Sequence, residues 1–509
     1  MSNPDVIIRK IDESYIAVDC AEESVASDLN SFFTMFAPKY QYHPLYKCRP
    51  RKWDGKIRLY SAATHRLYGG LLRYVLAFLQ ERNLKVEIQD GLDTLANFSV
   101  AEAEEWFKAL NPQSGGKSIT AHEHQIIGLA KALRYKKILL VSPTASGKSL
   151  MMYGITRYLI HKNGGGCKRG LIIVPTINLV AQLESDFLDY SDGKLGPRIQ
   201  TIYQGQSKTV DKEIVISTWQ SIYDMPRKWF EQFDYVIGDE AHGFKAESLK
   251  KIMCSLVNAK YRIGTTGTLD GTQTHRMVVE GHFGPHTKLT TTKDLQDKGL
   301  IAKIKPKALI LKHRKEEAKA LKKQAVQLGK DYRAIWKAEM DYLVAHQRRN
   351  QFIANLAKSL KDNVLILFNY IDHGQSLADV LITLGADEQV FIVNGSTDVE
   401  IREDVRRLAE NTDDTIIIAS YGVFSTGVNI KNIHHIIFAS PSKSRIRVLQ
   451  SIGRGLRLAE GKDSMTLYDI TDDLRSGKEF INFTLRQFVK RLEYYNEEGW
   501  KVSKYNIEL

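Results

Sequence analysis

Between about residues 135 and 265, short runs rich in Ile, Val and Leu alternate with longer amphipathic stretches. The runs at 138–141, 171–174, 214–217, 235–237 and 261–263 predict strands buried on both faces, the pattern of a parallel sheet covered by helices. The alternation returns after about residue 305, with strands expected at 363–368, 389–393, 415–419, 435–439 and 464–467. Two consecutive α/β cores follow. Between them, residues 315–346 have few strand formers and no Pro, which predicts a long helix interrupted near Gly329.

The first 110 residues lack this rhythm and are expected to form a small α+β domain. The turn-rich stretch Asn111, Pro112, Ser114, Gly115 and Gly116 cannot continue a helix and marks its end. The expected architecture is therefore α/β: an N-terminal α+β domain over 1–112, then two tandem parallel-sheet domains over 113–303 and 304–509.

Composition narrows the class. The 509 residues carry 72 Lys plus Arg against 59 Asp plus Glu, a formal charge of +13, which favours a polyanionic partner because neutralised phosphates release condensed counterions. Residues 306–350 hold twelve basic and five acidic side chains, so over half of that surplus sits in the segment that contains the expected helix. Either it is a solvated face or it lies along a phosphate backbone. Residues 39–58 hold seven basic side chains and one acid among Tyr40, Tyr42, Tyr46 and Trp53. Rings at that spacing either pack in a core or stack on exposed bases beside the cations.

Four widely spaced cysteines, with no paired motif, point to a reducing compartment and no structural zinc. No stretch approaches the roughly 18 apolar residues of a membrane span, and acids interrupt the N-terminus where a signal peptide needs an apolar run. A cytoplasmic protein is expected.

The strongest chemical signal follows the 138–141 strand. Ser142, Pro143, Thr144, Ala145, Ser146, Gly147, Lys148 and Ser149 open directly into an expected helix. Backbone N–H groups of 145–148 can converge on a phosphate at a helix N-terminus. Lys148 is placed for the β and γ phosphates of ATP and Ser149 for Mg2+. After the 235–237 strand come Asp239, Glu240, Ala241 and His242. Asp239 at a strand's C-terminal end suits Mg2+ coordination, and Glu240 suits activation of water; a plain helix N-cap is the other reading of such a pair. In the second core, Arg454 and Arg457 are three apart on an expected helix, so one face can present both to a γ-phosphate, unless both are merely solvated.

Taken together, these segments resemble the ordered motifs of superfamily 2 helicases of the DEAH form, whose two RecA-like domains bind ATP between them. The resemblance implies that Gln125 reads adenine, and that Thr144, Ala145, Ser146, Gly147, Lys148, Ser149 and Gly427 hold the nucleotide. It implies a catalytic set of Lys148, Asp239, Glu240, Gln450, Arg454 and Arg457, and a coupling set of His242, Thr266 and Thr268. Pro175, Thr176, Thr218, Trp219, Asn369 and Ser420 stand where that family contacts nucleic acid. A narrower resemblance, carried by Trp53 to Leu59, the segment 420–429 and the run from Gln450, is to the UvsW helicases of T-even phages. It implies DNA helicase or translocase activity on branched DNA in recombination and repair, with Lys52, Trp53 and Lys56 near the junction. It also implies an ATP- and Mg2+-dependent monomer in the host cytoplasm. RNA or an RNA–DNA hybrid is the alternative substrate, and a phosphate-loop kinase is the alternative class.

Overall fold

The computed structural model describes all residues except 1, 2, 90, 93, 94, 270, 330, 427–429, 460 and 476–480. The chain folds as two compact units, the first reaching Thr290 and the second running from Thr291 to Leu509, with Pro143–Ser146 grouped with the second.

The first unit contains a seven-stranded parallel sheet in the order Ile199–Ile202, Ile214–Thr218, Gly170–Val174, Tyr235–Gly238, Tyr261–Thr266, Lys137–Val141, His286–Lys288. Side chains alternate between two apolar layers. Ile138, Leu140, Ile172 and Ile237 enter one core, while Leu139, Leu171, Ile173 and Val236 enter the other, as the period of two along a strand requires. With both faces buried, the central strands are continuous apolar runs. The edge strands Ile199–Ile202 and His286–Lys288 are short and carry polar residues, so hydrophobic runs do not announce them.

Ahead of this sheet, a five-stranded sheet is ordered Tyr60–Ser61, Arg66–Tyr68, Tyr15–Cys20, Val6–Lys10, Val86–Ile88. Its core includes Met277 and Val278 from the helix Gln273–Phe283, so it shares apolar surface with the parallel-sheet region. Polar groups seal the join. Ser14 Oγ donates to the Met253 carbonyl at 2.9 Å, and the Glu13 amide donates to the Val257 carbonyl at 3.0 Å. The buried Arg262 guanidinium donates to Ser14 Oγ and to the carbonyls of Met253, Leu256 and His282 at 2.6 to 3.0 Å. Burial brings the Arg262 pKa down to about 10. Gly70 is needed here: a Cβ would fall 2.0 Å from the Glu280 carbonyl.

The second unit has its own seven-stranded parallel sheet, ordered Val390–Val393, Ile416–Ser420, Val364–Phe368, His435–Phe438, Ser464–Asp473, Lys303–Lys312, Ser503–Glu508. Leu365 and Leu367 face one core and Val364, Ile366 and Phe368 the other. The strand Lys303–Lys312 mixes Lys with apolar residues, and Ser503–Glu508 is largely exposed, which hides both from a hydrophobicity reading. The basic connecting segment forms helices Lys315–Gln327 and Tyr332–Ala345, with Gly329 at φ +62° between them. Among the described residues no helix is long and apolar enough to cross a membrane, and all four cysteines are free.

Candidate nucleotide site and nucleic-acid interface

The strand Lys137–Val141 ends at the loop 142–147, and the helix Lys148–Leu159 begins immediately after it. Gly147 has φ +73°, and a Cβ there would lie 2.3 Å from Gln125 Nε2. Backbone conformation and space both demand glycine at this position. Ala145 adopts φ +66°, a left-handed conformation that costs a non-glycine residue energy. Lys148 Nζ donates to the Ser142 carbonyl at 3.3 Å, reaching back across the mouth of the loop. Ser149 Oγ is 2.9 Å from the Tyr190 hydroxyl.

Gln125 is buried. Its Oε1 accepts from the His122 amide at 2.8 Å and its Nε2 donates to the Gly147 carbonyl at 3.2 Å. One end of its amide therefore braces the loop and the other caps its own helix.

Asp239 follows the strand Tyr235–Gly238 on the same rim, because parallel strands present all their C-terminal ends on one side. Thr265 Oγ1 donates to Asp239 Oδ1 at 2.8 Å. Burial raises the Asp239 pKa and the Glu240 carboxylate adds to it, while Lys148 and the Thr265 hydroxyl pull it back. Glu240 stands at φ +47° before the short turn Ala241–Lys245 and makes no side-chain cap bond there, so the simple N-cap reading of the acidic pair fails. His242 Nδ1 lies 3.2 Å from Glu240 Oε2 and 3.1 Å from Thr266 Oγ1. The Thr266 hydroxyl in turn donates to the Thr268 carbonyl at 3.1 Å. The imidazole and the two threonines thus form one hydrogen-bonded chain, with the Glu240 carboxylate beside its first member.

On neighbouring strand ends of the first unit, Pro175 and Thr176 follow Gly170–Val174, and Thr218 closes Ile214–Thr218. The Pro175 carbonyl accepts from Gln220 Nε2 at 3.3 Å. Thr218 is buried with its Oγ1 2.8 Å from Ser221 Oγ, and Trp219 is half-buried beside Tyr223. Ile177 and Tyr223 are exposed on this rim.

Within the second unit, Asn369 is exposed after the strand Val364–Phe368. Its Nδ2 donates to the Pro441 carbonyl at 3.0 Å, and its Oδ1 accepts from Arg447 at 3.1 Å. Ser420 Oγ accepts from the Val423 amide at 3.4 Å. Gln450 and Arg454 lie on the helix Arg445–Gly455, where the Arg454 guanidinium is 5.9 Å from the Phe424 ring centre.

The expectation that one helix face carries both arginines needs correction. The helix ends at Gly455, Leu456 is its C-cap, and Arg457 lies beyond it. The terminal carbonyl of Gly455 accepts from buried Lys462 Nζ at 2.8 Å, and so does that of Lys431. Gly427 lies outside the described residues.

In the N-terminal domain, Trp53 is half-buried. Its Nε1 donates to the Lys56 carbonyl at 3.0 Å and its ring meets His43 edge-on at 4.9 Å. Trp53 therefore holds its own loop together. The outward rings are others: Phe36 stacks on Tyr40 at 4.5 Å with Lys56 Nζ 5.4 Å from its centre, and Tyr42 is exposed with Lys47 nearby. Lys52 is exposed.

Comparison with known proteins gives three family matches in chain order: "DNA helicase UvsW, N-terminal" at residues 5–89, "Type III restriction enzyme, res subunit" at 114–271, and "Helicase conserved C-terminal domain" at 347–459. The "ATP-dependent DNA helicase uvsW" of Enterobacteria phage T4 is 32% identical over 99% of this chain and 100% of its own length. The chain belongs to the UvsW helicase family. The crystal structure of T4 UvsW covers 99% of both chains at 30% identity, with a TM-score of 0.51. A fragment of a putative HsdR subunit of a type I restriction enzyme from Vibrio vulnificus YJ016 matches 80% of this chain and 71% of its own at 19% identity and TM-score 0.55, which speaks for the fold alone.

For this UvsW-family chain, motif reasoning passed over several residues beside those it named. Thr265 on Asp239, Tyr190 on Ser149, Gln220 on Pro175 and Arg447 on Asn369 all act through side-chain hydrogen bonds between segments distant in sequence. Spacing carries no signal for them. Phe36 and Tyr42 were visible as aromatics, but which rings face outward is decided by packing.

Proposed function

We propose that the protein is an ATP-dependent DNA helicase or translocase that remodels branched DNA in recombination and repair. The observation that carries this is the chain-long UvsW likeness together with Lys148, Ser149, Asp239 and Glu240 on one sheet rim. Hydroxyl and carboxylate oxygens at Ser149 and Asp239 are the hard donors that Mg2+ prefers, so the residues fit that ion. When bound, Mg2+ neutralises phosphate charge.

In this reading Lys148 exchanges the Ser142 carbonyl for the β and γ phosphates of ATP, while the Gly147 amide and its neighbours cradle them. Glu240 orients and deprotonates the attacking water. Arg454 and Arg457 supply positive charge to the transition state, a contribution worth ~10³ to 10⁵ in rate in other NTPases. The chain through His242, Thr266 and Thr268 couples that chemistry to the strand-end segments 175–176 and 218–219. These and Asn369 with Ser420 contact the nucleic-acid backbone, so cycles of hydrolysis become stepping. Lys52, Lys56, Phe36 and Tyr42 meet unpaired or distorted DNA by stacking and charge.

Branch migration trades base pairs for equivalent ones, so ATP is needed for direction more than for net unwinding. The test is ATP turnover and strand products on forks, four-way junctions, linear duplex, RNA and RNA–DNA hybrids at one stated salt concentration. Stimulation greatest with branched DNA is expected. Greater stimulation by RNA or hybrid would move the substrate, and turnover indifferent to nucleic acid would favour a phosphate-loop kinase.

A further inference from the structure

On the opposite side of the first sheet from the phosphate loop lies a cavity of about 470 Å3. Lys137 lines it and opens the strand whose other end, four residues on, feeds that loop. At about 3.3 Å per residue the two sites are more than 10 Å apart. The walls come from two sheets. Lys10, Glu13 and Arg73 belong to the N-terminal domain, and Tyr135, Lys137, Asp234 and Lys260 belong to the parallel-sheet region.

We propose that this cavity is a second phosphate-binding site, taking a phosphate ester of nucleotide size. Its charge is the first reason. Five cations line it, Lys10, Arg73, Lys136, Lys137 and Lys260, against two carboxylates, Glu13 and Asp234. Both carboxylates are already engaged. Glu13 serves two ammonium groups, with Oε1 2.5 Å from Lys10 and Oε2 3.1 Å from Lys137. Asp234 Oδ2 accepts from the backbone amides of Lys168 and Arg169 at 2.7 and 3.1 Å. The cavity therefore keeps a surplus of positive charge that its own acids do not balance.

Burial is the second reason. Desolvation pushes the Lys137 pKa down, Glu13 restores part of it, and nearby Arg262 and Lys10 oppose the charge further. A half-buried ammonium in such surroundings gains from an added anion. Size is the third. A volume of this order matches small-molecule sites and not a duplex. Ile16 and Leu72 add apolar wall, and Arg73 lies over the Tyr135 ring at 4.6 Å, which leaves a cation and a flat surface together at the rim. Because its walls span both sheets, an occupied site ties the N-terminal domain to the first parallel sheet. The proposal does not depend on the helicase reading.

The experiment uses the full chain carrying Lys148→Ala, so that the phosphate loop does not dominate binding. Inorganic pyrophosphate and dTMP are titrated by calorimetry and a 12-nucleotide single strand by anisotropy, each with and without Arg73→Ala plus Lys260→Ala. Both of these side chains are exposed at the rim, so folding is not at stake. Saturable binding of one small phosphate per chain, weakened at least tenfold by the double substitution, is expected, with a ligand-induced rise in melting temperature that the double variant loses. If only the oligonucleotide loses tenfold, the phosphate comes from a DNA backbone. If neither ligand responds to the substitutions, the proposal is overturned.

Discussion

Thr265→Val tests the electrostatics of the candidate catalytic rim with the least disturbance of packing. Thr265 is fully buried on the strand Tyr261–Thr266, and valine keeps its shape while removing the hydroxyl that reaches Asp239 at 2.8 Å. A hydrogen bond to a charged group is worth about 1.5 to 3 kcal/mol, and water or a metal ion recovers part of it. A loss of about 1 to 2 kcal/mol in Mg2+ affinity is therefore expected, roughly 5- to 30-fold. The ionised carboxylate is what loses support, so the acidic limb of the rate profile for ATP hydrolysis should move to higher pH.

Stability follows the same sign. Burial and Glu240 already raise the folded-state pKa of Asp239. The stability linked to its protonated form is therefore present at low pH and lost as the pH rises through the folded pKa. In the variant that loss is larger, so its deficit against the parent protein should be greater at pH 8 than at pH 4, near the ordinary carboxylate value. The assays are Mg2+ titration of turnover, a pH–rate profile and thermal melting at both pH values. An unchanged Mg2+ dependence with an unchanged acidic limb would refute the role given to this hydroxyl.

Lys148→Ala should abolish ATP turnover and leave DNA binding intact; retained turnover contradicts the phosphate role. Arg457→Ala should slow hydrolysis while ATP affinity stays within a few fold, and single-turnover kinetics at normal rate would remove Arg457 from the site. Phe36→Ala with Tyr42→Ala should lower the preference for forked over linear DNA several-fold in competition binding without lowering the melting temperature; an unaltered preference would return these rings to mere surface. In the second unit, buried Arg491 forks onto Asp469 at 2.7 to 3.1 Å and donates to the Ser442 carbonyl. Arg491→Met strands that carboxylate and should cost about 3 to 5 kcal/mol in urea unfolding. A loss under about 1 kcal/mol would show the pair to be dispensable.

Much of the fold was legible because buried parallel strands must be apolar on both faces, and the central strands are. Strands that escaped detection, such as His286–Lys288 and Ser503–Glu508, sit at sheet edges where one side meets water and the hydrophobic signal fades. The phosphate loop was legible because backbone geometry leaves no choice at Gly147. Gln125 and Trp53 were legible as positions but not as contacts. Each turns its polar atoms onto the chain's own backbone, and only packing decides that.

The arginine pair shows most clearly where a spacing argument holds and where it stops. Residues three apart share a face only while the helix lasts. Here Gly455 ends it, and the buried Lys462 amine takes the last carbonyl together with that of Lys431. Burial and the nearby Arg457 charge bring the Lys462 pKa down to about 7, so Arg457 lies close to this staple rather than on the helix face that carries Arg454. The two arginines are thus placed by different means, Arg454 by the helix and Arg457 by the chain beyond its last residue. Their contributions to hydrolysis should separate by substitution at Lys462, which leaves the helix position of Arg454 intact while loosening that of Arg457.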